Sequence, residues 1–203
     1  MTPVELATRR LLLRAPGDSL IDAIADACAD PAIARYTTVP APYTRADAEG
    51  FVRDHVPSGW VRGTGCVWAI LSAADPDLLY GVIGLEGVAD GAAELGFWLA
   101  PAARGHGYVD EAVAPVLEFG FSAEGLRLQR VQWQARPGNV PSAAIARRAG
   151  FRYEGLRRLG GVHRGTRVDL WVAGLLATDE RAPQDDGWPS ETFPDEKPSE
   201  GQE

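Results

Sequence analysis

The sequence is short of cysteine, histidine, methionine and lysine. Its two cysteines, Cys28 and Cys66, form no C-x-x-C pair. That excludes a disulfide scaffold and predicts two reduced core thiols in a cytoplasmic protein. The three histidines, His55, His106 and His163, are scattered singly, so no metal site is expected. No apolar run approaches the ~20 residues that span a bilayer, and no membrane partner is expected. The opening "MTPVELATRR" has no apolar signal core, which argues against export. Lys197 is the one lysine; every other basic residue is arginine. The net charge of −8 is unevenly spread. From Thr178 onward, nine acidic residues face only Arg181 and Lys197, a net −7, which leaves −1 for residues 1–177. A nearly neutral body offers no basic field to nucleic acid.

What is present is enough for one core: 203 residues, 45% of them hydrophobic. Strands are expected over 9–16, 66–73, 79–88, 92–100 and 128–137, with a closing hairpin from Phe151 to Ala177. Helices are expected over 17–30, with Asp18 or Ser19 as N-cap and Pro31 behind the end, and over 44–56, where Thr44 and Asp47 form a capping-box pattern. Two more are expected at 107–124 and 139–150. The order β α α β β β α β α β β is that of an α/β protein with a mixed, mostly antiparallel central sheet and helices on both faces. Residues 1–177 read as one domain, and 178–203 as an acidic, Pro-rich, disordered tail. Trp188 and Phe193 stand out in it as aromatics that could dock on the body.

The stretch "PAARGHGYVDE" at 101–111 joins the strand "AELGFWLA" to a helical pattern. A glycine turn there leaves the first helical N–H groups unpaired and pointing outward, and with the helix dipole they attract an anion. Arg104 adds a positive charge beside them. An ordinary Gly-rich turn reads equally well from this stretch alone. A phosphate-binding P-loop does not, since G-K-[ST] is absent, and no G-x-G-x-x-G is complete. About thirty residues on, "NVPSAAIARRAGF" (139–151) reads alone as a helix capped by Asn139, packed through Ile145 and ended by Gly150.

Together, the two motifs resemble the GNAT acyltransferases, specifically the RimJ/RimL branch of ribosomal-protein N-acetyltransferases. The resemblance runs over about 8–176. It is carried by "RLLLRAPGDS", "ELGFWLAP", "RGHGYVDEA", "N-x-x-S" with "AGF", and "YEGLRR" with "DLWVAGLL". It implies a GNAT fold whose sheet splays between the family's strands 4 and 5, here 94–100 and 128–136. It implies that backbone N–H groups of Arg104, Gly105, His106, Gly107, Tyr108 and Val109 hold the pyrophosphate of acetyl-CoA. Pantetheine then lies along Trp98, Leu99 and Ala100, and an N–H near Trp98 or Leu99 polarises the thioester. Asn139 bonds a pantetheine amide or caps its helix. The chain departs from the family pattern at Val109, whose methyls crowd a phosphate or pack under the loop as core, at Asp110, whose charge repels a phosphate if it faces the loop and favours the helix dipole if it points outward, and at Pro115, which predicts a kink or an early irregular turn.

Acyl transfer needs a neutral amine and a proton for the leaving thiolate. An α-amine loses its proton more easily than a lysine amine, so a weak base acting through water suffices. Glu94 is the expected base, with Glu154 as a second candidate. The tyrosine that many family members use as acid is Ala146 here, and the resemblance to the Rim branch assigns Ser142 that role. Tyr36 and the 36–44 segment are expected to cover the acceptor site. The expected activity is acetyl transfer from acetyl-CoA to a protein N-terminal α-amine, by direct attack in a ternary complex. A small-amine acetyltransferase, for an aminoglycoside or polyamine, and a GNAT-fold regulatory protein that has lost turnover are the alternatives. A monomer or homodimer is expected.

Overall fold

A two-residue turn sets the middle of the sheet. Asp90 (φ 50°) and Gly91 (φ 74°) both adopt the left-handed conformation that a tight hairpin demands. They join β4 (Leu79–Ala89) to β5 (Ala92–Leu99). The computed structural model describes residues 1–193. In it, β1 (Leu6–Ala7), β2 (Leu11–Arg14), β3 (Gly65–Ser72), β6 (Arg130–Ala135), β7 (Arg152–His163) and β8 (Thr166–Leu176) complete a sheet of order β1-β2-β3-β4-β5-β6-β8-β7. Every pair is antiparallel except β5–β6.

β3 is buried along its whole length, as a central strand covered on both faces must be. Alternate side chains serve two layers. Trp68 and Ile70 join a core with α4 (Val56–Arg62) and α5 (Tyr108–Phe121), while Ala69 and Leu71 join another with α1 (Ile21–Cys28) and α3 (Arg45–Gly50). Trp60 meets Trp68 edge to face at 5.1 Å. α6 (Val140–Arg148) packs its Ala143 and Ala146 into the first core.

Two helices differ from expectation for reasons of proline chemistry. Pro31 does not merely follow a helix; it opens α2 (Pro31–Tyr36), whose N-cap Asp30 accepts the Ala32 N–H at 2.9 Å. Proline suits a first turn because its missing N–H would be unpaired there anyway. Thr44 and Asp47 form the expected capping box. The helix they start then runs past residue 56, through a π turn (Phe51–His55) into α4, and ends at Gly63 (φ 68°). The π turn shifts the hydrogen-bond ladder directly ahead of Pro57, which cannot donate to it. α5 runs as one helix from Tyr108 to Phe121 with Pro115 inside it.

The expected tail needs correction as far as Phe193; residues 194–203 lie outside the described residues. Residues 178–193 lie against α6. The Gln184 N–H donates to the Arg147 carbonyl at 3.1 Å, Asp185 pairs with Arg147 at 3.3 Å, and the Arg147 guanidinium sits 4.0 Å over Phe193. Trp188 is only 6% exposed, with its ring 5.5 Å from Trp133 and 5.4 Å from Tyr153. Composition averaged over the segment points to disorder, but Trp188 and Phe193, the two aromatics singled out in it, carry enough apolar surface to dock it.

Candidate active site

The one parallel pair is short. β5 and β6 are in register at Ala92–Arg130, Ala93–Val131 and Glu94–Gln132, and there the ladder stops. Beyond it β4 holds β5 as far as Leu99, and β8 holds β6 as far as Ala135. The two strands therefore diverge, and their facing edges are unpaired. A cavity of about 1000 Å³ fills the fork and extends from Arg104 and Val109 to Tyr36, Thr37 and Asp47.

The edge of β5 that faces the fork can be read from its other edge. The Ala100 N–H donates to the Tyr80 carbonyl at 2.8 Å. In an antiparallel pair alternate residues bond to the partner, so Trp98 also turns its N–H to β4. Leu99 and Phe97 turn theirs to the fork. Of the three residues expected to lie along pantetheine, Leu99 alone thus offers an amide. Phe97 is a second donor that the sequence reading missed.

At one end of the cavity, Gly105 (φ 79°) and Gly107 (φ 72°) hold conformations that L side chains rarely adopt. Gly107 is the N-cap of α5 and brings no side-chain cap. The Arg104 N–H, expected among the pyrophosphate donors, instead donates to the Pro101 carbonyl at 3.3 Å. Among the described residues, the backbone N–H groups of Gly105, His106, Gly107, Tyr108, Val109 and, beyond the expected run, Asp110 donate to no acceptor. Six consecutive donors at a helix N-terminus fit a pyrophosphate well. The Arg10 side chain braces this turn. Its Nε donates to Glu111 at 2.6 Å and its Nη1 to the His106 carbonyl at 3.1 Å. His106 and Tyr108 stack at 5.5 Å, and Tyr108 on Tyr80 at 4.1 Å.

The structure decides three points about the turn. The Val109 side chain is 2% exposed and packs in the core, so its methyls do not crowd the amides. Asp110 pairs with Arg148 at 2.7 Å, which partners its charge. Arg104 donates to Asp30 and, at 3.2 Å, to the Leu99 carbonyl. Its charge is shared with a carboxylate that the Ala32 N–H, and then Arg104, hold below the usual range.

Glu94 is the last residue of the β5–β6 ladder. Its Oε2 accepts from Gln134 at 2.5 Å and from Gln132 at 3.3 Å. Burial pushes its carboxyl above the usual range; the two glutamines and the Arg157 charge oppose that shift, and the Glu86 charge adds to it. Glu86 lies directly across the β4–β5 pair and meets His55 Nε2 at 2.6 Å. Glu154 is elsewhere, in a two-bond pair with Arg130 at 2.7 and 2.6 Å. On the other side of the fork, Ser142 Oγ accepts the Trp133 indole N–H at 3.0 Å. That bond occupies a lone pair and leaves the hydroxyl proton free to be donated. Asn139 stands at the N-cap of α6, its side chain does not cap the helix, and the residue lines the cavity.

A family model, described as an acetyltransferase (GNAT) domain, matches residues 10–152. The chain belongs to the GNAT acetyltransferases. It is similar to the N-acetyltransferase p20 of Bacillus licheniformis, itself uncharacterized, with 26% identity over 173 residues, 84% of this chain and 95% of that protein. Its fold is that of RimL, the ribosomal L7/L12 α-N-protein acetyltransferase, at a TM-score of 0.74 and 19% identity, covering 87% of this chain and 96% of that one. Mycobacterium smegmatis RimJ, solved with a CoA-disulfide, matches at a TM-score of 0.74 and 20% identity over 87% of this chain and 90% of its own. As a GNAT enzyme the chain is an N-acyltransferase, and the fork between β5 and β6 is the splayed sheet its family resemblance implies. No helix among the described residues is long and apolar enough to cross a membrane.

Besides Phe97, the residues that sequence reasoning missed are Glu86, Gln132, Gln134 and Arg157. The period-2 pair Gln132 and Gln134 was visible as one face of a strand. Glu86 was not, because counting back from the Asp90–Gly91 turn pairs Glu94 with Gly87. A bulge between Glu86 and Ala89, with Gly87 at φ 64°, moves the register by one.

Proposed function

We propose that the protein transfers an acetyl group from acetyl-CoA to the α-amine of a polypeptide, and does so in the cytoplasm. The observation that carries this reading is that the sheet opens at Glu94 itself. The base candidate and the unpaired strand edge are therefore neighbours in one cavity, with the glycine turn at its far end. The six amides from Gly105 to Asp110 would hold the pyrophosphate, Leu99 and Phe97 would meet the pantetheine arm and the thioester oxygen, and the Asn139 amide would bond the arm across the fork. That RimJ was solved with CoA, and that RimL is named for acting on a protein α-amine, support the assignment.

In the reaction a C–N bond forms and the C–S bond breaks. Glu94, directly or through a water, accepts the proton that the amine gives up. Its raised pKa brings it toward that of an α-amine, which improves the match for proton transfer. Ser142 gives its hydroxyl proton to the departing sulfur while taking one from solvent water, so that no alkoxide is left, and the Trp133 indole N–H supports the oxygen during the exchange. Direct transfer fits the thiols as well. Cys28 and Cys66 are buried and pushed up to about 12 by that burial, and neither lines the cavity to accept an acetyl group.

The test is incubation of the full chain with acetyl-CoA and a peptide bearing both a free N-terminus and an internal lysine. Tandem mass spectrometry should place the acetyl group on the α-amine. Acetylation of the lysine alone, or of neither amine, contradicts the proposal.

A further inference from the structure

Resting on that reading, we infer that the β7–β8 hairpin is a docking surface for an acidic polypeptide, the chain that follows the acetylated amine. Residues 155–168 carry Arg157, Arg158, Arg164 and Arg167 and no carboxylate. Arg136, which lines the cavity, reaches the hairpin at His163, 3.4 Å away, and Arg35 lies behind it with its guanidinium over Tyr36. Arg136 donates to the Arg35 carbonyl at 2.7 Å, and Arg164 to the carbonyls of Ala34 at 2.9 Å and Val39 at 3.2 Å. Among the described residues none of these six arginines pairs with a carboxylate, whereas Arg10, Arg45, Arg53, Arg104, Arg130 and Arg148 all do. Asp169, the next acid along the hairpin, accepts the Leu159 N–H at 2.6 Å. In a body of net charge −1, this is a local concentration of unpaired positive charge.

A second feature lies on the same element. Leu156, Leu159 and Val162 are 48%, 60% and 57% exposed. β7 ends the sheet, but bulges at Tyr153–Gly155 and Arg157–Gly161 break its register. Bulges protect an edge from strand addition, so a partner would be held by side chains. The charge layout then selects the partner. The cavity is lined by Asp47, Glu86 and Glu94, which suit an ammonium group on entry, with Arg157 bonded to Gln134 beside them. Arg158, Arg164 and Arg167 lie outside that lining on the hairpin and suit carboxylates behind the amine. A polyamine or aminoglycoside would meet the hairpin as a like charge. An acidic chain with one cationic end complements both zones.

The experiment uses three peptides with the same N-terminal residue, followed by Asp/Glu, Ser/Gly or Lys/Arg residues, and measures kcat/KM at low and physiological salt. The acidic peptide should exceed the neutral one about tenfold at low salt and lose that advantage as salt rises. The double variant Arg158→Glu/Arg167→Glu should reverse the order, with the basic peptide gaining and the acidic one losing, mostly in KM. A variant that is merely misfolded would lower all three alike, so the reversal is specific; if the double variant fails to fold, Arg158→Glu alone should narrow the gap. Equal turnover of the three peptides, independent of salt, overturns the docking surface and leaves α-amine acetylation standing. Acetylation of none of them overturns both.

Discussion

Glu94 holds the clearest conflict between stability and function. A carboxyl whose pKa is raised by burial binds its proton more tightly in the folded chain than in the unfolded one. Its contribution to stability is therefore favourable at low pH. It declines as pH rises from the ordinary carboxylate value through the raised one. At neutral pH the ionised Glu94 is a liability that Gln would remove while keeping its shape. Glu94→Gln should melt above the parent protein at pH 7, and the gap should close as the pH falls below the ordinary carboxylate range. Thermal melts over a pH series check this, and a variant that melts lower at pH 7 would mean that the lost hydrogen bonds outweigh the relieved charge. The identity of Glu94 as base candidate was legible in the sequence, from its place on the strand before the glycine turn. Its partners were not. Gln132 and Gln134 lie on another strand, brought beside it by the parallel pair, and Glu86 depends on a bulge that no local pattern announces. The same holds for Ser142: its motif was visible, but the bond from Trp133 exists only because β6 and α6 pack together.

Among the elements, the glycine turn was the most legible, because Gly105 and Gly107 state a backbone requirement directly. Helix boundaries near prolines were less so. Pro31 reads equally as the end of one helix and the start of another, and Asp30, which decides between them, acts only through a bond to a residue beyond the proline. The segment 178–193 was the least legible, since charge and proline dominate its composition while Trp188 supplies the packing. Its docked position has a consequence for α6. Trp188 backs Trp133, which bonds to Ser142, and Arg147 is held between Asp185 and Phe193. Trp188→Ala should lower stability by about 3 kcal/mol, near the low end for a buried large aromatic, and truncation after Ala177 should lower it at least as far. Chemical denaturation measures both. A truncated protein as stable as the full chain would show that this contact is not maintained in solution.

At the scale of the whole molecule, the fold was legible to a large extent. Hairpin spacing gave the neighbours β3, β4 and β5 and the closing pair β7 and β8, but not the parallel β5–β6 contact or the placing of β8 beside β6. The fork followed from resemblance to a family whose motifs lie at fixed distances along this chain. What local patterns could not supply was the electrostatic layout. Formal charge put the excess of acid in the last residues and left the body near zero. Within that near-zero sum, Asp47, Glu86 and Glu94 line the cavity while Arg158, Arg164 and Arg167, none paired with a carboxylate among the described residues, stand on the hairpin beside it. Such an arrangement depends on strands and helices distant in sequence meeting at one cavity. The account stands on the joining of this cavity to a proton acceptor at the point where the sheet opens, and the pH dependence of kcat/KM on an N-terminal peptide tests that most directly. The amine of the peptide, with a pKa near 8, contributes one rising limb in any active protein. The wild-type profile should contain a second limb at lower pH, above the ordinary carboxylate range, and Glu94→Gln should lose that limb together with about 10²-fold in kcat/KM. Profiles of the same shape in the two proteins, with rates within a few-fold of one another, would contradict the assignment of Glu94 as the base.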